Sequence, residues 1–360
     1  MPAPKQPPTM REIARRAGVS HTTVSLALRN NPEIPAATRE RIQNLADSMG
    51  YRSNMLVSAL MTQVRLRQPR TTAEVIGFLT AGPASDDWKN HSASVGAYEG
   101  ASIRARQLGM RLETFWLGPD GEKARETCRL LNVRAIWGNF IAPFPVPVYD
   151  HELDWDKLTC VAFGYAYPQH RLHRVIHHHF RGSFTAFDNL HRLGYSRIGL
   201  MLDHYENSRV HYSWLGGYLA AQTIFRGDAL QPLLTADDDI ARVREWLQQV
   251  RPDAVIGFGP KEIVTLNRAG YSVPGDIAFA ALDVQQARLA SLKQVSGIDQ
   301  NHAAIGATAI DTLAAQLYHN ERGMPRAPVL AMIEGFWVDG RTAPPKAREL
   351  TMASQESSKL

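Results

Sequence analysis

Between residues 74 and 282 short apolar runs recur, each about the length of a strand: VIGFL, RLETFWL, VRAIW, CVAFGY, RIGLML, DAVIGF and IAFAAL. Longer stretches with helical periodicity, such as SVGAYEGASIRARQLG and IARVREWLQQV, separate them. That alternation predicts βαβα units and hence a parallel-sheet architecture. Residues 74–345 are too many for one compact layer, so the pattern predicts two lobes, followed by a polar tail over residues 346–360 expected to be disordered.

Upstream the pattern is different. After a Pro-rich leader over residues 1–8, Thr9 and Glu12 form a T-x-x-E capping box ahead of a helix near residues 10–16. Ala17-Gly18-Val19 breaks that helix. Ser20 can cap a second one over 21–28, with Val24, Ala27 and Leu28 on one apolar face. A third helix over about 36–49 carries Ile42, Leu45, Ala46 and Met49 at helical spacing before Gly50. Two short helices joined by a tight turn, plus a third, predict a miniature all-α unit over residues 9–54. Residues 55–73, an apolar helical patch running into a basic stretch, read as a hinge helix and linker.

Charge sharpens this division. Residues 1–70 hold eleven Lys and Arg against four Asp and Glu, a surplus of seven in a chain whose net charge is +5. The body is therefore slightly acidic and the N-terminal end strongly basic, the electrostatic footprint of a nucleic-acid partner. Arg15, Arg16, Arg29, Arg39 and Arg41 are candidates for phosphate contact, with solvent-facing helix positions as the alternative. Cys128 and Cys160, the only cysteines, have no metal-ligand spacing. No apolar run is long enough for a membrane span and the N-terminus lacks a signal-peptide core, which points to the cytoplasm. G-x-S-x-G, H-E-x-x-H and Walker motifs are absent from the sequence, so no enzyme and no cofactor is expected. His170, His173 and the run His177-His178-His179 could ligate a metal, but without accompanying Cys or carboxylate spacing such histidines more often make hydrogen bonds or face solvent.

The stretch from Thr9 to Asn54 contains A-G-V-S-x-x-T-V-S, then T-R-E-R-I, then G-Y-R-x-N, in that order and spacing. It resembles the headpiece of the lactose-repressor (LacI/GalR) family of transcriptional regulators. More loosely, the body resembles that family's sensor, which is similar to periplasmic sugar-binding proteins, through H-R-L-G-Y-S-R-I-G-L, R-P-D-A-V-I-G and A-A-L-D. The resemblance implies a small helix-turn-helix headpiece on a two-lobed α/β sensor (residues 74–345), a homodimer on double-stranded operator DNA, and a sugar-like effector between the lobes. It places the crossings between lobes near His179, Gln300 and Pro325.

For DNA the resemblance implies Thr9, Ser20, His21, Thr22, Thr23, Ser25, Leu26, Arg29, Tyr51 and Asn54, with Leu60 as a wedge in the minor groove. A leucine packed between sensor domains is the bland alternative for Leu60. For the effector it implies Asn139, Tyr165, Trp214, Asp283 and Gln300, while Trp214 could equally be core. Departures are also plain: Leu26 stands where relatives commonly have Arg, Ser53 where they have Pro, Gly259-Pro260 where they have a polar pair, and Trp214 where they have a ligand-gripping Arg. Taken together the sequence predicts a DNA-binding regulator, expected to act as a repressor, that responds to a small molecule. A metal-responsive regulator using residues 170–179, or a sensor-derived enzyme fused to a DNA-binding module, are the competing readings. The tail TMASQESSKL has no leucine heptad, which favours dimers over tetramers.

Overall fold

The computed structural model describes residues 9–28, 31, 33–49, 51, 74–119, 121–144, 151, 153–225, 229–235, 239–289 and 294–346. The segments expected to be leader, hinge with linker, and most of the tail lie outside them.

The headpiece is built from α1 (Met10–Ala17), α2 (His21–Leu28) and α3 (Ala36–Ser48). Thr9 caps α1 by accepting from the Glu12 N–H at 3.3 Å, while the Glu12 carboxylate faces Arg15, so one half of the expected capping box is present. Gly18, at φ 67°, ends the helix in the left-handed region that a Cβ disfavours. Ser20 Oγ then accepts from Thr23 N at 3.0 Å and opens α2. Ile13, Ala17, Val24, Ala27, Ile42 and Ala46 are buried together, and the partly exposed Leu28, Leu45 and Met49 close the rim.

The body comprises two parallel-type sheets flanked by helices. In the first lobe β1 (Glu74–Thr80), β2 (Met110–Trp116), β3 (Gly138–Ile141), β4 (Thr159–Phe163), β5 (His173–His177) and β11 (Leu330–Ile333) lie in the order β11-β5-β4-β3-β1-β2. In the second, β6 (Ile198–Asp203), β7 (Leu233–Thr235), β8 (Ala254–Gly257), β9 (Ala278–Ala281), β10 (Ser296–Asp299) and β12 (Phe336–Val338) lie in the order β12-β10-β9-β8-β6-β7. Strands covered on both faces read as continuous apolar runs, and β3, β4, β8 and β9 are buried along their whole length. Each sheet accordingly has a hydrophobic cluster on either side.

Two expectations need correction. VRAIW is not a strand: Val133 ends α5 (Gly121–Val133) at 86% exposure, and Ala135 turns at φ 52° so that Ile136 N–H closes back on Leu131. The strand begins one step later, at Gly138. The third crossing between lobes is not at Pro325 but at residues 334–335, because β11 stays in the first lobe as a parallel edge strand beside β5 before β12 joins β10. The other two crossings fall where expected, at His178 and at residues 300–301.

In the first lobe α4 (Ser92–Gln107) packs along α12 (His302–His319) at very short range. A Cβ on Gly100 would stand 1.9 Å from the Ala303 carbonyl oxygen, which is backbone and cannot swing aside. Gly100→Val is expected to lower stability by about 1–3 kcal/mol through overpacking. The check is a urea titration, in which an unchanged midpoint would mean that the two helices separate at no cost.

Candidate nucleic-acid interface and ligand cleft

On α2 the side chains of Val24 and Ala27 point into the headpiece core, which leaves His21 and Thr22 exposed and Ser25 and Leu26 partly exposed. Thr22, Ser25 and Leu26 are spaced i, i+3, i+4 and therefore share one face. Arg29 would continue that face at i+7, but it lies outside the described residues, as do Asn54 and Leu60. Ser20 and Thr23 hold one another, with their hydroxyl oxygens 2.8 Å apart, so they shape the turn ahead of the exposed face. Thr9 caps α1 and Tyr51 packs against the headpiece core. Arg15 and Arg16 are exposed. Arg41 instead donates to the Ala17 carbonyl at 3.0 Å and Arg39 to the Asn31 carbonyl at 3.4 Å, so these two also brace the three-helix unit.

Between the lobes lies a cavity of about 510 Å³. The first lobe contributes Ser94 from the start of α4, Phe144 after β3, and residues 163–168 from the last position of β4 onward. The second contributes His179 from α6 (His179–Arg192), Tyr205 and Arg209 from α7 (His204–Arg209), Trp214 from α8 (Ser213–Phe225), and Asp283 after β9. Of the five residues expected to face a ligand, Tyr165, Trp214, Asp283 and Gln300 line this cavity. Asn139 does not. It sits mid-strand beside Gly77, whose missing Cβ makes room for its Oδ1, and donates to the Trp137 carbonyl at 3.0 Å.

The lining is unusual in its polar accounting. Buried polar atoms in folded proteins are nearly always paired. Here Ser94 Oγ, His179 Nδ1, Trp214 Nε1 and both ring nitrogens of His302 are buried without a hydrogen-bond partner. Asp283 is 2% exposed. One of its oxygens accepts from Gln285 N at 3.0 Å, and the other stands 3.7 Å from His302 Nε2, too far for a hydrogen bond. Burial pushes its carboxyl above the usual carboxylate range, against the pull of His302. Gln300 is engaged, donating to the Leu282 carbonyl at 2.9 Å across the crossing. Trp214 is core in its bulk, packed edge-on to His179 and against Phe258, with its N–H unspent.

Residues 9–54 match the model described as "Bacterial regulatory proteins, lacI family", and residues 187–342 match a periplasmic binding protein-like domain. The chain belongs to the LacI family. Among its relatives, the HTH-type transcriptional repressor CytR of Escherichia coli (strain K12) is 23% identical over 294 residues, covering 76% of this chain and 80% of CytR. The probable HTH-type transcriptional repressor ExuR of Bacillus subtilis (strain 168) is 44% identical over 55 residues, and that match spans 16% of ExuR. The fold is that of the transcriptional regulator CelR in its cellobiose complex (TM-score 0.57, 17% identity, 93% of this chain and 99% of that one). It is also that of the lac repressor dimer bound to operator and the anti-inducer ONPF (TM-score 0.53, 19% identity, 94% and 100%). This LacI-family architecture is that of DNA-binding regulators and not of enzymes.

The LacI-type body disperses the histidines that the sequence groups. His177 and His179 are buried with rings 5.3 Å apart, His178 caps α6 by accepting from Arg181 N, and His173 accepts from Val329 N. His170 packs on Trp155 with ring centroids 4.5 Å apart. Among the described residues no group of three or more His, Cys, Asp or Glu is placed to hold a metal ion. Nor, among them, is any helix long and apolar enough to cross a membrane. Ser94 and His302 are cleft residues that sequence reasoning missed. They come from two helix starts more than 200 positions apart, and the only local signal was a pair of serines ahead of the α4 pattern.

Proposed function

We propose that this protein is a dimeric repressor that acts in the cytoplasm on a roughly palindromic operator and is controlled by a sugar-like small molecule held between its lobes. In this reading residues 9–54 bind DNA, 55–73 form hinge and linker, and 74–345 sense the effector and dimerise, flanked by the leader 1–8 and the tail 346–360. One observation carries it: a single chain joins a recognition-type helix with an exposed polar face to a cleft whose unpartnered buried atoms come from both lobes. A ligand satisfying both sets draws the lobes together. Effector affinity and operator affinity are then coupled, necessarily in both directions.

Within the headpiece, His21 and Thr22 carry polar base readout, with Ser20, Thr23, Ser25, Tyr51, Asn54, Thr9 and Arg29 as supporting contacts and Leu60 as the minor-groove wedge. Leu26 can touch a thymine methyl but has no donors for guanine O6 and N7. Selection of binding sites from random DNA is the test. Wild type should favour thymine at the position read by Leu26, and Leu26→Arg should move preference to guanine at one symmetric pair of positions, leaving the others unchanged. Guanine selected there by wild type would overturn the assignment. Release of the selected operator by a cleft ligand tests the sensor half.

A further inference from the structure

The first lobe ends in a strand whose backbone is only half used. Among the described residues β11 pairs with β5 alone, as the outermost strand of its sheet. The carbonyls of Val329 and Ile333 accept from the N–H groups of Arg174 and His178, on and just after β5. Backbone groups alternate in direction along a strand, so those of Val329, Ala331 and Ile333 face β5. The N–H and C=O of Leu330 and Met332 therefore point away from the sheet.

The side chains alternate as well. Ala331 and Ile333 pack against the first-lobe core, whereas Leu330 and Met332 share the other face at 42% and 50% exposure. Val329 before the strand and Phe336 after the crossing are exposed too. Soluble proteins normally guard an edge strand with charge, with proline or with a covering element. β2, at the opposite edge of the same sheet, carries Arg111 and Glu113 as an ion pair at 2.6 Å. β11, with the sequence LAMI, carries no charge at all. The nearest charges in sequence are Arg326, whose carbonyl accepts from the Arg171 guanidinium, and Glu334, 3.8 Å from Arg181 with both side chains largely exposed.

We propose that β11 is a self-pairing surface that joins two copies of this chain edge to edge, antiparallel about a twofold axis through Ala331. That register sets Leu330 of each copy opposite Met332 of the other, so every open N–H and C=O on the two strands finds a partner. The four apolar side chains then form one row on a single face. Other registers do worse. Centring the pair on Leu330 would set Met332 opposite Pro328, which has no N–H to give, and centring it on Met332 would set Leu330 opposite Glu334. Charge selects the antiparallel direction and a second copy as occupant. Arg326 of each copy comes diagonally across from Glu334 of the other, whereas in-register parallel strands would bring like charges together. Such a contact is isologous and closes on itself. In the dimer proposed above each assembly carries two of these edges, so the pairing links one dimer to another.

Cysteine scanning of the full-length protein tests the surface and the register together. Ala331 lies on the axis, in an opposed pair that is not hydrogen-bonded, where Cα atoms stand about 4.5 Å apart and a disulfide can span them. Under mild oxidation Ala331→Cys should yield a covalent pair. Val329→Cys and Ile333→Cys, each opposite the other's position, should cross-link about tenfold more slowly, and wild type, whose Cys128 and Cys160 are buried, not at all. Small interfaces are weak, so sedimentation of wild type over about 1–100 μM should show mass rising with concentration beyond that of the dimer. Leu330→Lys, and independently Met332→Lys, should remove both that rise and the cross-linking of Ala331→Cys, leaving melting temperature and operator affinity unchanged. Equal cross-linking at all three positions, cross-linking that survives both lysines, or a wild-type mass that stays at the dimer would overturn the inference.

Discussion

Arg174→Ala should abolish most of the ligand response while leaving operator affinity in the absence of ligand unchanged. Arg174 lies on β5, and its guanidinium donates to four carbonyls of one loop: Gly164 at 3.1 Å, Ala166 at 2.7 Å, Tyr167 at 2.8 Å and His170 at 3.1 Å. That loop supplies residues 163–168 to the cleft, Tyr165 among them. Five N–H donors in a fixed plane suit a curved row of carbonyls, and four contacts made by one side chain fix the curvature of the loop. With alanine the carbonyls must find water or go unpaired, at about 1–3 kcal/mol for each one that stays dry, and the loop loses the conformation that forms the wall. A fall in ligand affinity of about a hundredfold, close to 2.7 kcal/mol, is expected. Arg174→Lys should not restore it, because a single ammonium cannot span the four oxygens. Calorimetry with a cleft ligand, beside operator titrations, decides the matter. Affinity within about twofold of wild type would show that the loop holds its shape without the guanidinium.

The headpiece was legible because its signals are local. Thr9, Gly18 and Ser20 each act on a backbone group within a few residues, so a cap or a stop can be read from neighbouring letters. The alternation of strands and helices was legible for the same reason wherever strands are buried on both faces. It failed at β5, where two histidines and an arginine interrupt the apolar run, and at the edge strand β11, whose side chains alternate between exposed and half-buried. VRAIW misled because Val133, an apolar residue, stands on the surface at a helix end. The cleft was only partly legible. Asp283 follows an unmistakable buried strand, but its neighbour His302 reaches it through a crossing that no local pattern announces, and Asn139 was diverted into the sheet by a glycine on the adjoining strand. Trp214 was left between core and ligand platform; its ring packs among His179 and Phe258, and its unspent N–H belongs to a residue that lines the cleft.

The three crossings between lobes meet around His177, and acidification should destabilise the body there. A Cβ on Gly335, at the third crossing, would stand 2.6 Å from the His177 ring, which shows how closely the strands converge. Burial, reinforced by His302 and His178 and opposed by the nearby Ile333 backbone, lowers the His177 pKa from 6.5 to about 3. His179 is lowered too, by burial and then by His177, Arg209, His302 and His178. Above pH 6.5 both are neutral in the folded and unfolded chain. Below it the unfolded chain binds protons that the folded one refuses, so stability falls as pH drops from about 6.5 towards about 3. His177 contributes a slope near 1.4 kcal/mol per pH unit, or about 2 kcal/mol lost by pH 5, and His179 acts in the same direction. Asp283 works in the opposite sense, since its raised folded pKa makes the folded state the better proton acceptor as pH falls through it. His177→Leu removes a ring whose two nitrogens have no hydrogen-bond partner, so little bonding is lost with it. Urea titrations at steps between pH 7 and pH 5 should therefore give the variant a slope flatter than wild type by about one proton. Equal slopes would mean that His177 takes up its proton in the folded state and that the junction of the lobes admits the charge.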